Sequence, residues 1–103
     1  MPRLLVLYPQ PTDAQQFEAA YETHIKLFHE KTGIPLDVKP YTVTKFLPAP
    51  DGAPAFYHMF SMPFETTGAL QEAMSSPGMQ EIAADANRIS TGGPITVLIG
   101  EES

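Results

Sequence analysis

Two histidines stand where a side chain can exchange a proton. His24 falls on the apolar side of a predicted helix, and His58 lies among aromatic residues on a predicted central strand. Imidazole titrates near neutral pH, so a histidine in a partly dry pocket can take or give a proton. For each residue the alternative is a structural role, in which a buried ring only satisfies a hydrogen bond. His29 is off the side of the helix that carries His24, and we predict it at the surface.

Tyrosines form the second group of candidate residues. Tyr41 lies in the strand predicted after the first helix, where its hydroxyl can bind a carbonyl or enolate oxygen or point into solvent. We predict that His24 and Tyr41 line one pocket and carry the chemistry, because a proton acceptor and a hydroxyl donor suffice to move a proton next to a carbonyl. The predicted substrate contacts, each of which also suits a hydrophobic core, are Tyr8, Tyr21, Tyr57 and His58.

The sequence lacks the motifs of several other kinds of site. It has no cysteine, which excludes disulfides, thiolate metal sites and iron–sulfur clusters. His24 and His29 do not share a helical face and no His-Glu-x-x-His pattern occurs, so we predict no metal site. Residues 9–11, Pro-Gln-Pro, replace the glycine-rich loop of nucleotide-binding folds. We predict no cofactor, and haem ligation by His24 or His58 is the alternative left open.

The composition limits the class of protein. We predict a single domain over residues 1–103, because a chain of 103 residues has room for one core. A net charge of −6 argues against nucleic acid and anionic membrane surfaces as partners. No apolar run approaches the roughly 20 residues of a membrane-spanning helix. We therefore expect a small acidic globular protein in the cytoplasm.

The elements that must position these residues can be read from periodicity and from the turn residues. Thr12 and Gln15 have the spacing of a capping box, which predicts a first helix from Asp13, and Gly33 marks its end. The predicted elements in order are strand 3–8, helix 13–31, strand 38–47, an exposed loop 48–54, strand 55–62, a helix from Thr66 or Thr67 that breaks and restarts at residues 75–77, and strand 95–100. This β-α-β-β-α-β order is typical of the ferredoxin-like α+β sandwich.

The strands of this sandwich are apolar on both faces. In the first strand Leu5 and Leu7 oppose Leu4 and Val6, and in the third Tyr57 and Met59 are predicted to oppose the face of His58. An uncovered face of this kind would expose several hundred Å² of apolar surface, which soluble monomers rarely carry. We therefore predict a homodimer in which the open sheet faces meet and form a barrel around a small-molecule space. The alternative is a monomer with a few exposed aromatic residues.

Several passages along nearly the whole chain match one family pattern. They are residues 6–13, then Phe17 and Tyr21, residues 23–27, residues 85–87, residues 91–94 and residues 100–101. In these passages the sequence resembles the EthD-like family, named for ethyl tert-butyl ether degradation, within the dimeric α+β barrel superfamily. The resemblance implies a ferredoxin-like fold that forms a dimeric α+β barrel. It also implies that His24 and Tyr41 match a histidine and a tyrosine that line the pocket of methylmuconolactone-isomerising relatives.

The resemblance leaves the chemistry open, because relatives in this superfamily include isomerases, cofactor-free monooxygenases and haem-handling proteins. It implies an enzyme or accessory protein of bacterial catabolism that acts on a small apolar carbonyl, phenolic or ether-derived compound by histidine-assisted proton transfer. Three alternatives stand beside this expectation. They are a non-catalytic carrier for a partner oxygenase, a haem-binding barrel, and an interaction module with a filled core.

Overall fold

Four strands and three helices follow one another in a computed structural model that describes residues 1–102. They are β1 (Pro2–Pro9), α1 (Ala14–Thr32), β2 (Thr42–Lys45), β3 (Phe56–Pro63), α2 (Thr67–Ser75), α3 (Pro77–Ile89) and β4 (Thr96–Glu101). All strand pairs are antiparallel, in the order β2-β3-β1-β4. The chain has the ferredoxin-like α+β fold, as its sequence predicts. Within residues 1–102, none of the helices combines the length and the apolar character that crossing a membrane requires.

Helix α1 begins one residue later than the capping-box spacing predicts. The Asp13 carboxylate, and not the Thr12 hydroxyl, caps the helix by accepting a hydrogen bond from the Gln16 amide at 3.0 Å. The backbone amide of Thr12 instead donates to the Thr91 hydroxyl, which ties the start of the helix to the segment before β4. Gly33 ends the helix in the left-handed conformation at φ 76°, as predicted.

The predicted break between the second and third helices is confirmed, and one residue makes it. Ser76 ends α2 and also caps α3, where its hydroxyl accepts a hydrogen bond from the Met79 amide at 3.2 Å. Pro77 is the first residue of α3, a position where its missing N–H costs nothing. The side chain that anchors α2 is Leu70, which is fully buried.

Strand β2 is much shorter than predicted. Only Thr42–Lys45 pair with β3, and all four residues are exposed. The strand is an edge strand, and Pro40 and Pro48 on its two sides cannot donate to a ladder. The loop of residues 48–54 is almost entirely exposed, as predicted.

The two faces of the sheet differ in what covers them. Leu4, Tyr8, His58 and Phe60 are buried on the face under the helices. The opposite, open face carries apolar side chains at positions 5, 7, 59 and 98. Strand β4 is also exposed, since Val97, Leu98 and Ile99 keep 41%, 49% and 51% of their accessible surface.

Candidate active site

A cavity of about 110 Å³ lies between the helices and the sheet. Strands β1, β3 and β4 form its floor, and α1, α2 and α3 form its walls and rim. Its polar lining residues are Tyr8, His24 and Gln80, and the other lining side chains are apolar. An apolar cavity of this size favours a small apolar ligand.

The histidine of this cavity is held by a carboxylate from the third helix. His24 lies on α1 and is buried, and its Nδ1 is 2.8 Å from Oδ2 of Asp85 on α3. The other carboxylate oxygen of Asp85 accepts a hydrogen bond from Nε of Arg88 at 2.8 Å. Because ionised Asp85 can only accept, Nδ1 of neutral His24 carries the proton. Nε2 is then the basic nitrogen, and it has no hydrogen-bond partner among residues 1–102.

Charge and burial set the protonation states of this pair. Burial lowers the pKa of His24, and the hydrogen bond and charge of Asp85 oppose this effect only in part. Burial raises the pKa of Asp85, but hydrogen bonds from His24 and Arg88 outweigh it, so the pKa lies below its usual value. At neutral pH the pair is therefore a neutral imidazole beside an ionised carboxylate, the state in which a histidine accepts a proton.

Tyr8 supplies the hydroxyl group of the cavity. It lies on β1, lines the cavity and is 1% exposed. Burial and the negative charge of Asp85 both raise the pKa of Tyr8, so its phenol stays protonated. Tyr8 is one of the residues predicted to contact substrate, and it can donate a hydrogen bond to an oxygen atom in the cavity.

Tyr41 lies outside this cavity, so the predicted pocket shared by His24 and Tyr41 is wrong. Among residues 1–102, the lining of the cavity includes His24 and does not include Tyr41. The Tyr41 hydroxyl donates to Nε2 of His29 at 2.8 Å, and the ring packs on Phe28 and Phe60. The segment between α1 and β2 folds back over the end of α1 and brings Tyr41 to His29.

His29 is buried and not at the surface as predicted. Its Nδ1 donates to the Ile34 carbonyl at 2.9 Å, which leaves Nε2 to accept from Tyr41. Helical spacing correctly separates His29 from the face of His24. It does not reveal that the segment after the helix covers this second face, and no local sequence signal shows it.

Tyr57 also departs from its predicted position. The pairing register of β1 and β3 shifts between Tyr8 and Pro9, so that Tyr57 is an extra residue in a β-bulge. Its ring packs on Phe17 of α1, and its hydroxyl donates to Glu18 at 3.0 Å. Tyr57 therefore shares the helix side of the sheet with His58 and does not oppose it.

Tyr21 and His58 are buried together, and neither lines the cavity among the described residues. Their ring centroids are 4.3 Å apart. The Tyr21 hydroxyl and both ring nitrogens of His58 have no hydrogen-bond partner within residues 1–102. Burial lowers the pKa of His58 to about 4, so this imidazole is neutral near pH 7.

The low pKa of His58 predicts that the free energy of unfolding falls as the pH is lowered from about 6.5 to about 4. In that window the unfolded chain binds a proton at His58 that the folded chain does not bind, and protonation therefore favours unfolding. We expect a smaller loss in the His58→Phe variant, which has no group to protonate there. The measurement is the urea midpoint at pH 7 and pH 4.5 for both proteins. Equal losses in the two proteins would contradict the prediction.

A second pocket of about 310 Å³ lies beside the junction of α2 and α3. The polar groups that line it already have partners within the chain. Lys31 pairs with Glu81 at 2.8 Å, and the hydroxyls of Thr32 and Ser76 donate to backbone carbonyls. No group of three or more possible metal-ligating side chains occurs among residues 1–102. The first cavity is therefore the better candidate for a site.

Asp85 is the site residue that sequence reasoning did not assign. It is 61 positions from His24, and only the packing of α1 on α3 brings the two together. The family pattern at residues 85–87 includes Asp85, but the pattern does not indicate which residue Asp85 contacts.

Comparisons with known proteins place the whole chain in a family context. No protein-family model matches the chain, and no curated protein matches it. Among solved structures, an ethyl tert-butyl ether degradation (EthD) family protein from Bacillus halodurans is 33% identical, with a TM-score of 0.81 over 100% of this chain and 99% of that chain.

Two further solved structures share the fold at low identity. A hydroxynitrile lyase from Passiflora edulis is 18% identical, with a TM-score of 0.69 over 99% of this chain and 93% of that chain. A dimeric ferredoxin-like protein of unknown function from Jannaschia sp. is 12% identical, with a TM-score of 0.68 over 99% of this chain and 100% of that chain.

Proposed function

The chain belongs to the ethyl tert-butyl ether degradation (EthD) family, and we propose that it moves a proton on a small apolar carbonyl compound bound in the cavity. In this proposal Nε2 of His24 removes a proton from the carbon next to the carbonyl group, and the Tyr8 hydroxyl donates a hydrogen bond to the enolate oxygen. When the substrate carries a carbon–carbon double bond conjugated with that enolate, return of the proton from His24 to the far end of this double bond shifts the bond and completes an isomerisation. The observation that carries the proposal is the His24–Asp85 pair at 2.8 Å at the edge of an apolar cavity.

The size of the cavity supports a ligand with a single ring or a short chain. A cavity of about 150 Å³ holds one benzene molecule, and this cavity is about 110 Å³ and open at one side. A haem macrocycle needs several times that space, so the cavity does not favour the haem-binding alternative. Removal of a proton from carbon needs a base in a site that excludes water, and the apolar lining supports this requirement.

Asp85 has a positioning role in the proposal. It fixes the tautomer of His24 and stabilises the imidazolium that forms when Nε2 takes a proton. Arg88 holds the second oxygen of Asp85 and keeps this carboxylate ionised. The Passiflora hydroxynitrile lyase shows that this fold can carry lyase chemistry on a small molecule.

The test is deuterium exchange at the carbon next to the carbonyl of cyclohexanone in D₂O, followed by NMR. We expect the protein to accelerate the exchange and the His24→Asn variant to lose roughly 10²-fold of that acceleration, the usual effect of removing a general base. Asp85→Asn should lower the rate as well and change its pH dependence, because His24 loses its carboxylate.

The matched control is Glu81→Gln, which removes a different side-chain contact between α1 and α3, the Lys31–Glu81 ion pair at 2.8 Å. It should leave the exchange rate unchanged. Binding of cyclohexanone without faster exchange would contradict the catalytic proposal and favour the alternative, a carrier that delivers such compounds to a partner oxygenase. A cavity that binds neither cyclohexanone nor toluene would contradict both functions and favour an interaction module.

We further propose that the protein works as a homodimer in the cytoplasm. Leu98 extends the apolar open sheet face onto the exposed edge strand β4, and a second copy can cover this surface. Val97 lies on the other face of β4, opposite Val6, where it lines the cavity. The dimeric ferredoxin-like protein from Jannaschia, which has the same fold, supports this arrangement.

A further inference from the structure

Three polar atoms of two neighbouring buried side chains have no partners among the described residues. They are the Tyr21 hydroxyl and the two ring nitrogens of His58, and no described residue within 1–102 bonds to them. Tyr21 is 8% exposed and His58 is 1% exposed. Buried polar groups almost always have a partner, and a missing one is often an ordered water or a ligand atom.

The chemistry of the three atoms specifies that missing partner. Neutral His58 presents one N–H donor and one nitrogen acceptor, and the Tyr21 hydroxyl can donate and accept. A hydroxyl oxygen both donates and accepts, so it can pair with the Tyr21 hydroxyl and with either ring nitrogen of His58 in either tautomer. A carbonyl oxygen can pair with the His58 N–H but not with the other ring nitrogen, and an ammonium group can pair only with that other nitrogen.

The position of the pair connects it to the cavity. The ring of Tyr8 packs on Tyr21 at 5.6 Å and on His58 at 5.7 Å between centroids, and Tyr8 also lines the cavity. Tyr21 is also 5.7 Å from the ring of His24. The pair thus contacts Tyr8 and His24, two of the side chains that line the cavity.

We propose that Tyr21 and His58 form a binding site for one hydroxyl oxygen, supplied by a buried water molecule or by an alcohol or phenol in the cavity. With water as the source, the site is an internal structural water next to His24. With a ligand as the source, the inference deepens the proposed function and rests on it, because it identifies a hydroxyl group as part of the ligand.

The experiment is NMR of the protein labelled with ¹⁵N-histidine, first alone and then with phenol as the probe. In the free protein we expect a rotating-frame Overhauser contact between water and the ring protons of His58. If the ligand supplies the oxygen, phenol removes this contact and shifts the His58 nitrogens. If water supplies it, the contact persists with phenol bound.

One variant and one matched control test whether the Tyr21 hydroxyl takes part in phenol binding. If the ligand supplies the oxygen, Tyr21→Phe should weaken phenol binding roughly 3- to 10-fold and leave toluene binding unchanged, the usual effect of losing one hydrogen bond. Tyr41→Phe also removes a buried tyrosine hydroxyl, but one that is bonded to His29, so phenol binding should not change.

The inference is overturned if His58 shows no water contact, phenol does not shift its nitrogens, and both Tyr21→Phe and His58→Phe raise the denaturant midpoint. That combination would mean that the three atoms are truly unpaired. Failure of this proposal can be distinguished from failure of the proposed function. Deuterium exchange in cyclohexanone depends on His24 and requires no hydroxyl group on the ligand.

Discussion

Leu98→Glu is expected to convert the protein from a dimer to a monomer at micromolar concentration. Leu98 lies on the open face of the sheet opposite Leu5 and is 49% exposed in the single chain. In the proposed dimer the glutamate would be buried without a partner, at a cost of about 3–5 kcal/mol. That cost corresponds to a rise of roughly 10²- to 10⁴-fold in the dissociation constant. Analytical ultracentrifugation should show a mass near 11.3 kDa for the variant and twice that for the unchanged chain.

The control for this change is Ala84→Glu. Ala84 is an exposed residue of α3, away from the sheet face, and a glutamate there should leave the mass unchanged. A monomeric unchanged chain would contradict the dimer itself. A dimer that persists in Leu98→Glu would contradict the open sheet face as its interface and point to another surface.

Gly92→Ala is expected to cause the largest loss of folding stability of any glycine-to-alanine substitution in this chain. A β-carbon at Gly92 would overlap the carbonyl oxygen of Gln10 and lie 2.7 Å from its carbonyl carbon. Both atoms belong to the backbone and cannot rotate away. Relief of the overlap must separate the segment after β1 from the segment before β4, where the Gln10 side chain also binds the Pro54 and Phe56 carbonyls. We expect a loss of about 3 kcal/mol or more in unfolding free energy.

Differential scanning calorimetry measures this loss as a fall of roughly 10 °C or more in Tm, given the usual relation for a chain of this length. Gly68→Ala is the matched control, because the nearest atom to its added carbon is the Thr66 hydroxyl oxygen at 3.9 Å. Alanine also favours a helix over glycine, so Gly68→Ala should keep or raise Tm. Equal Tm values for the two variants would contradict the predicted overlap between a β-carbon at Gly92 and the backbone of Gln10.

Local chemistry made much of the fold predictable. Gly33 ends α1 because glycine adopts a positive φ without strain, and Ser76 with Pro77 marks a helix boundary through capping and a fixed φ. The order of elements and the EthD resemblance are confirmed by the structure and by the Bacillus protein. The helix ends depend on a few neighbouring residues, and the fold class depends on the order of helical and strand patterns along the chain. Both kinds of information can be read directly from a sequence.

The arrangement of the site was less predictable, because it depends on contacts between distant segments. His24 was found from the apolar stripe of its helix, but its partner Asp85 comes from another helix. The sequence predicts Tyr41 beside His24, whereas the structure places it beside His29, because no periodic pattern encodes the path of the chain after α1. The bulge at Tyr57 adds one residue to a strand, and strict alternation then places that side chain on the wrong face.

The single residue between α2 and α3 fixes the rotational phase of α2. Ser76 ends one helix and begins the next, so no loop exists that could absorb a change in length. A residue inserted between Leu70 and Ser76 would rotate the earlier part of α2 by about 100° around its axis. Leu70, which holds α2 against the core, would then point away from it. Segments such as residues 48–54 can change length freely, whereas the stretch from Leu70 to Pro77 must keep its length for the rim of the cavity to form.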